Sequence, residues 1–138
     1  MKRIAIFLII TFILNFVWEI SQAFLYTPHY SGTSGLIKVH LMASLGDIVI
    51  IAIIFMINRL IFGNKFFNDR YNTKRLVSLI ITGLIIAVLV EKYSLTTGRW
   101  GYNSMMPIAP LLNVGLTPIL QMMLVPSLCY IFYSRAAK

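Results

Sequence analysis

Acidic residues are scarce in this chain: four Asp and Glu stand against 12 Lys and Arg in 138 residues. Charge of either sign is thin, at 12% of residues, while 59% are hydrophobic. A soluble domain of this size cannot bury so much apolar side chain, so the bilayer is the expected solvent. The net charge of +8 does not point to nucleic acid. The basic residues lie mainly between or outside the apolar runs, where they orient helices and attract anionic headgroups.

Cysteine is limited to Cys129, which excludes an intramolecular disulfide and leaves the redox compartment unread. Local catalytic signatures are missing as well: there is no HExxH, no CxxC pair, no GxxxxGK[ST] phosphate loop and no GxSxG elbow. Histidine is confined to His29 and His40. Neither a zinc nor a copper site is expected, and the seven Met read as packing residues. No metal and no cofactor is expected.

Four long apolar runs are present: Ile4 to Leu25, about Leu41 to Phe62, Leu76 to Val90 and about Ile108 to Phe132. A spanning helix needs roughly 20 mainly apolar residues, and Glu91 to Tyr93 brings the shorter third run close to that. The first run also fits a cleaved leader, with Lys2-Arg3 ahead of it and Ser21-Gln22-Ala23 at its end. It is longer than a normal leader core, so a retained helix is the expectation. Residues 1–138 therefore read as one all-α integral membrane domain, a bundle of four transmembrane helices. The connection between helices 3 and 4 is expected to be a longer outer loop or a re-entrant segment.

Lys2, Arg3, Arg59, Lys65, Arg70, Lys74, Arg75, Arg135 and Lys138 fall on one side of these spans, and Lys38, Lys92 and Arg99 on the other. The positive-inside rule then predicts an N-in, C-in protein of the cell membrane with both termini cytoplasmic.

Three of the four acids sit where a carboxylate is costly. Glu19 and Asp47 lie inside apolar runs and Glu91 closes one, and such residues mark functional sites by default. Helical spacing sorts their polar neighbours. Thr11, Asn15, Glu19 and Gln22 make one stripe on helix 1; His40, Ser44 and Asp47 make another on helix 2; Asn113, Thr117 and Gln121 make a third on helix 4. Gly83, Ala87 and Glu91 give helix 3 a small-residue face that permits close packing. Facing inward, the four would enclose a polar chamber in the outer half of the membrane.

Proton transfer is the chemistry this pattern suggests. Glu19 is expected as general acid, Asp47 partnered by His40 as base, and Glu91 as a further catalytic carboxylate. Asn15, Trp18, Gln22, Arg99, Trp100, Tyr102, Asn113 and Gln121 are the expected substrate-binding residues, with Arg99 free to pair with an acid or an anionic headgroup. Aromatic rings beside carboxylates suit a carbocationic or apolar substrate, so the first reading is a membrane enzyme of the cyclase or isomerase type acting on an isoprenoid- or lipid-like molecule. The second is a small proton- or cation-coupled transporter working as a dimer, a homo-oligomer of this chain, and the third is an assembly subunit without catalysis. The expected partners are membrane lipids and a lipophilic small molecule.

Overall fold

The computed structural model describes residues 2–68 and 71–136. Asp69, Arg70 and Lys138, which enter the charge count above, lie outside the described residues. The elements in order are α1 (Lys2–Gln22), continued by a single 3-10 turn (Ala23–Leu25), α2 (Gly32–Phe62), α3 (Lys65–Asn68), α4 (Thr73–Thr96), the two short strands β1 (Ile108–Ala109) and β2 (Val114–Gly115), and α5 (Leu116–Ala136). Among the described residues, four helices are long and apolar enough to cross a membrane: α1 with its 3-10 turn, α2, α4 and α5.

Helix boundaries depart from the apolar runs at two places. α2 begins at Gly32 rather than near Leu41, because the segment ahead of the run contains no proline after Pro28 to stop a helix. Its 31 residues extend roughly 46 Å, longer than the roughly 30 Å of a hydrocarbon core. It stops at Gly63, whose φ of 64° is the left-handed geometry that glycine adopts without strain.

The second departure is the start of α5, at Leu116 rather than near Ile108. Pro107 and Pro110 supply no N–H for a helix, and Leu111 and Asn113 take positive φ angles of 69° and 54°. Residues 108–115 instead form an antiparallel hairpin, with Ile108 opposite Gly115 and Ala109 opposite Val114. The connection to the last helix is thus a loop with a hairpin and contains no re-entrant helix.

Asn72 sets the start of α4 by accepting the backbone N–H groups of Lys74 at 2.9 Å and Arg75 at 3.4 Å. α4 and α5 then make the tightest crossing in the bundle. A Cβ on Gly83 would lie 2.0 Å from the Met122 carbonyl oxygen. That carbonyl is the one left without a helical donor by Pro126, four residues on inside α5. The bare Gly83 backbone covers it.

Aromatic rings close the bundle at the end where α1 begins and α5 finishes. Phe7 meets Phe55 and Tyr133, while Phe66 of the short α3 is buried against Phe55 and Tyr130. The Tyr130 hydroxyl accepts the backbone N–H of Asn72 at 3.2 Å. α3 thereby turns a segment that reads as a basic loop into an apolar plug. Above it, Ile51, Ile54, Leu79, Val125 and Cys129 form a fully packed core.

Candidate functional site

Polar side chains collect on the other side of that core. Thr11, Asn15 and Gln22 of the α1 stripe are buried, as are His40 and Ser44 of α2 and Gln121 of α5, so the predicted faces do turn inward. A cavity of about 750 Å³ opens beside them. Its walls carry Glu19, His40, Asp47, Glu91, Trp100 and Gln121 among mostly apolar neighbours such as Ile50, Ala87, Leu89 and Met122. That size and lining are typical of a small-molecule site.

The acids have different partners. The His40 Nδ1 atom lies 3.3 Å from Glu19 Oε2, so the expected pairing of His40 with Asp47 is not what the structure contains. Seven residues along one helix amount to a rise of roughly 10 Å, too far for a direct bond. The antiparallel approach of α1 and α2 brings Glu19 to His40 instead. The second ring nitrogen, Nε2, is buried without a hydrogen-bond partner.

Two glutamines hold Glu19 and Asp47 in one network. Gln22 Nε2 donates to Glu19 Oε1 at 2.8 Å and to Gln121 Oε1 at 3.1 Å. Gln121 Nε2 donates to Asn15 Oδ1 at 3.0 Å and to Asp47 Oδ2 at 2.8 Å. Trp18 Nε1 donates to Gln22 Oε1 at 3.2 Å and Asn15 Nδ2 to the Thr11 carbonyl at 2.8 Å. Every amide is therefore oriented, with both N–H groups of each glutamine spent. Trp18 acts by holding Gln22; it is not a cavity wall.

Glu91 receives Tyr102 Oη–H and, at 3.3 Å, Trp100 Nε1–H on the same oxygen, Oε2. Tyr102 in turn accepts the Gly115 backbone N–H at 2.8 Å. Burial pushes the Tyr102 phenol well above its ordinary range, and its bond to Glu91 pushes it further. It remains a protonated donor at neutral pH. Tyr102 thus supports a carboxylate and does not line the cavity.

Arg99 is exposed at the cavity rim; among the described residues it has no acid within ion-pair distance, so the expected pairing of Arg99 with an acid is not seen. Asn113 sits exposed in the hairpin turn, away from the cavity lining. It falls out of the predicted stripe because α5 starts after it. Among the described residues no three His, Cys, Asp or Glu side chains are grouped so as to hold a metal ion.

Several wall residues were missed by sequence reasoning, Tyr26, His29 and Ser94 among them. Tyr26 and His29 enter from the connection after α1, and neither has a helical periodicity to mark it. Burial, and then the nearby Glu91, push the Tyr26 phenol far up. Ser94 lies one turn beyond Glu91 on α4, and its buried hydroxyl has no hydrogen-bond partner. That spacing was readable. No protein-family model, curated protein or solved structure matches the chain.

Proposed function

We propose that the protein is a membrane enzyme that moves protons on a lipophilic, isoprenoid- or lipid-like substrate held in this chamber. The observation that carries the reading is the Glu19–His40 pair at the cavity wall, with His40 Nε2 buried and without a hydrogen-bond partner. In this reading the Glu19 carboxylate accepts from Nδ1–H and Nε2 carries no hydrogen, the arrangement that orients a histidine base.

The roles expected from sequence are therefore exchanged. His40, held by Glu19, is the base. Asp47 is the acid: Gln121 donates to its Oδ2, which stabilises the carboxylate that remains after the proton leaves. Addition of the Asp47 proton to an alkene carbon forms one C–H bond and a carbocation. Loss of a neighbouring C–H proton to His40 Nε2 restores a double bond. The proton returns to Asp47 and the net change is an isomerisation or cyclisation, with no oxidant or reductant. Glu91 and the Trp100 ring stand at the walls where positive charge on carbon develops.

A carrier needs access from both faces. Here the chamber ends on Gln121; Asn15, expected as a substrate-binding residue, is fully buried behind it and does not line the cavity, and the packed core and the aromatic plug lie beyond, which favours an enzyme over a transporter. On the positive-inside rule, the proposed orientation has the plugged end toward the cytoplasm and the chamber in the outer half of the membrane.

The test compares by mass spectrometry the lipids of membranes that hold the wild type, Glu19→Gln or Asp47→Asn, each confirmed as folded. A lipophilic species that accumulates in both variants, with an isomer of equal mass present only with the wild type, supports the reading. Identical lipid profiles overturn it.

A further inference from the structure

The chamber has a flank that the bundle does not cover. α2 and α4 are joined near the plugged end, where Asn58 Nδ2 donates to Thr82 Oγ1 at 3.3 Å. Toward Asp47 and Glu91 the same two helices are separated by the cavity, and several of its wall residues there are also on the outside of the bundle. Met42 and Leu89 are each 63% exposed and Tyr93 is 59% exposed. Gly46, one residue before Asp47, has no atom within 4 Å of where a Cβ would stand. These positions belong to two helices that are long and apolar enough to cross a membrane.

The end of the chamber that would face water is, by contrast, stitched shut on the α1 side. Thr27 N donates to the Gly101 carbonyl at 2.9 Å and Asn103 N to the Leu25 carbonyl at 2.8 Å. Tyr26 and Tyr102 form a bridge and pack edge to face at 5.6 Å. The polar rim residues there are Arg99 and His29.

We infer that the gap between α2 and α4 at Gly46 is a lateral portal through which the hydrocarbon end of a long isoprenoid chain enters the chamber directly from the bilayer. This rests on the functional reading above and adds the substrate's class and its direction of entry. The apolar lining suits the chain terminus, and a cavity of about 750 Å³ holds only part of a long-chain lipid. The remainder lies in the membrane and any polar group stays at the interface beside Arg99. The terminal double bonds are thereby delivered to Asp47 and His40.

Photolabelling tests this without depending on turnover. The purified protein in lipid nanodiscs is irradiated with an isoprenoid alcohol bearing a diazirine at the far end of its chain, or with the same alcohol bearing it beside the hydroxyl. Labelled peptides are then mapped. The chain-end probe is expected to label residues of the chamber wall, including Asp47, and the hydroxyl-end probe is not. Gly46→Leu, whose Cβ would have nothing within 4 Å and whose side chain projects into the gap, is expected to abolish chamber labelling. Met42→Trp, on the outer edge of the same gap, is a second plug should the first fail to fold.

Labelling that survives a folded plug, or that comes from the hydroxyl-end probe, overturns the portal. The two proposals fail separately. If the chain end labels the chamber and the plugs block it, while Glu19→Gln and Asp47→Asn leave the lipid profile unchanged, the portal stands and the catalytic reading does not.

Discussion

Gln121 organises the site more than any of the carboxylates does. One amide accepts from Gln22, donates to Asn15 and donates to Asp47, tying α1, α2 and α5 together at a single buried point. Replacing it by Leu conserves most of the volume and leaves the Asp47 and Asn15 oxygens and one Gln22 N–H unsatisfied. An unsatisfied buried polar group costs about 1–3 kcal/mol, and Gln121→Leu is expected to lose at least that much stability in detergent unfolding. Gln121→Glu, which keeps the shape and removes the donors, should not restore it; full recovery by Glu would show that filling space is the residue's task. The stripes that contain these groups were legible from helical spacing because a polar side chain inside an apolar run must face protein. The pairing of His40 was not legible. Spacing along one helix says which face a residue occupies, whereas Glu19 reaches His40 from a different helix.

Helix contacts depend on where the backbone can be approached. Pro126 and Gly83 act as one device across α4 and α5: the proline frees the Met122 carbonyl and the glycine lets a neighbouring backbone lie over it. Gly83→Ala forces the two helices apart and is expected to cost about 1–3 kcal/mol, the usual range for overpacking. Gly46→Ala is the control, since its Cβ meets nothing and alanine is the better helix former by up to about 1 kcal/mol. Unfolding measurements on both decide the matter, and equal effects would show that helix propensity alone is at work. The four apolar helices and the small-residue face of α4 were readable from composition and periodicity. The first turns of α2 and the late start of α5 were not, because a polar segment can extend a helix and because prolines and two positive φ angles set the hairpin.

The molecule as a whole has one packed end and one hollow end. The positive-inside rule predicts that the packed end faces the cytoplasm, and cysteine accessibility tests that directly. In a Cys129→Ser background, Ser104→Cys, exposed in the loop before the hairpin, should react with a membrane-impermeant maleimide on intact cells. Asn64→Cys, exposed beside α3, should react only after permeabilisation. The reverse pattern would turn the protein over in the membrane and put the chamber on the cytoplasmic side. The aromatic plug could not be anticipated from the sequence, since Phe66 and Phe67 lie in a segment whose Lys and Arg dominate its composition, and only the fold of α3 back under α2 and α5 buries them.

A vessel with a closed floor also has a traffic rule. If the proposed chemistry and portal hold, whatever is made above Gln121 would have to leave past the place where the next molecule waits, so product and substrate would exclude one another at the same doorway. Turnover would then follow how readily the product dissolves in the surrounding lipid, and a product more apolar than its precursor would clear the doorway fastest.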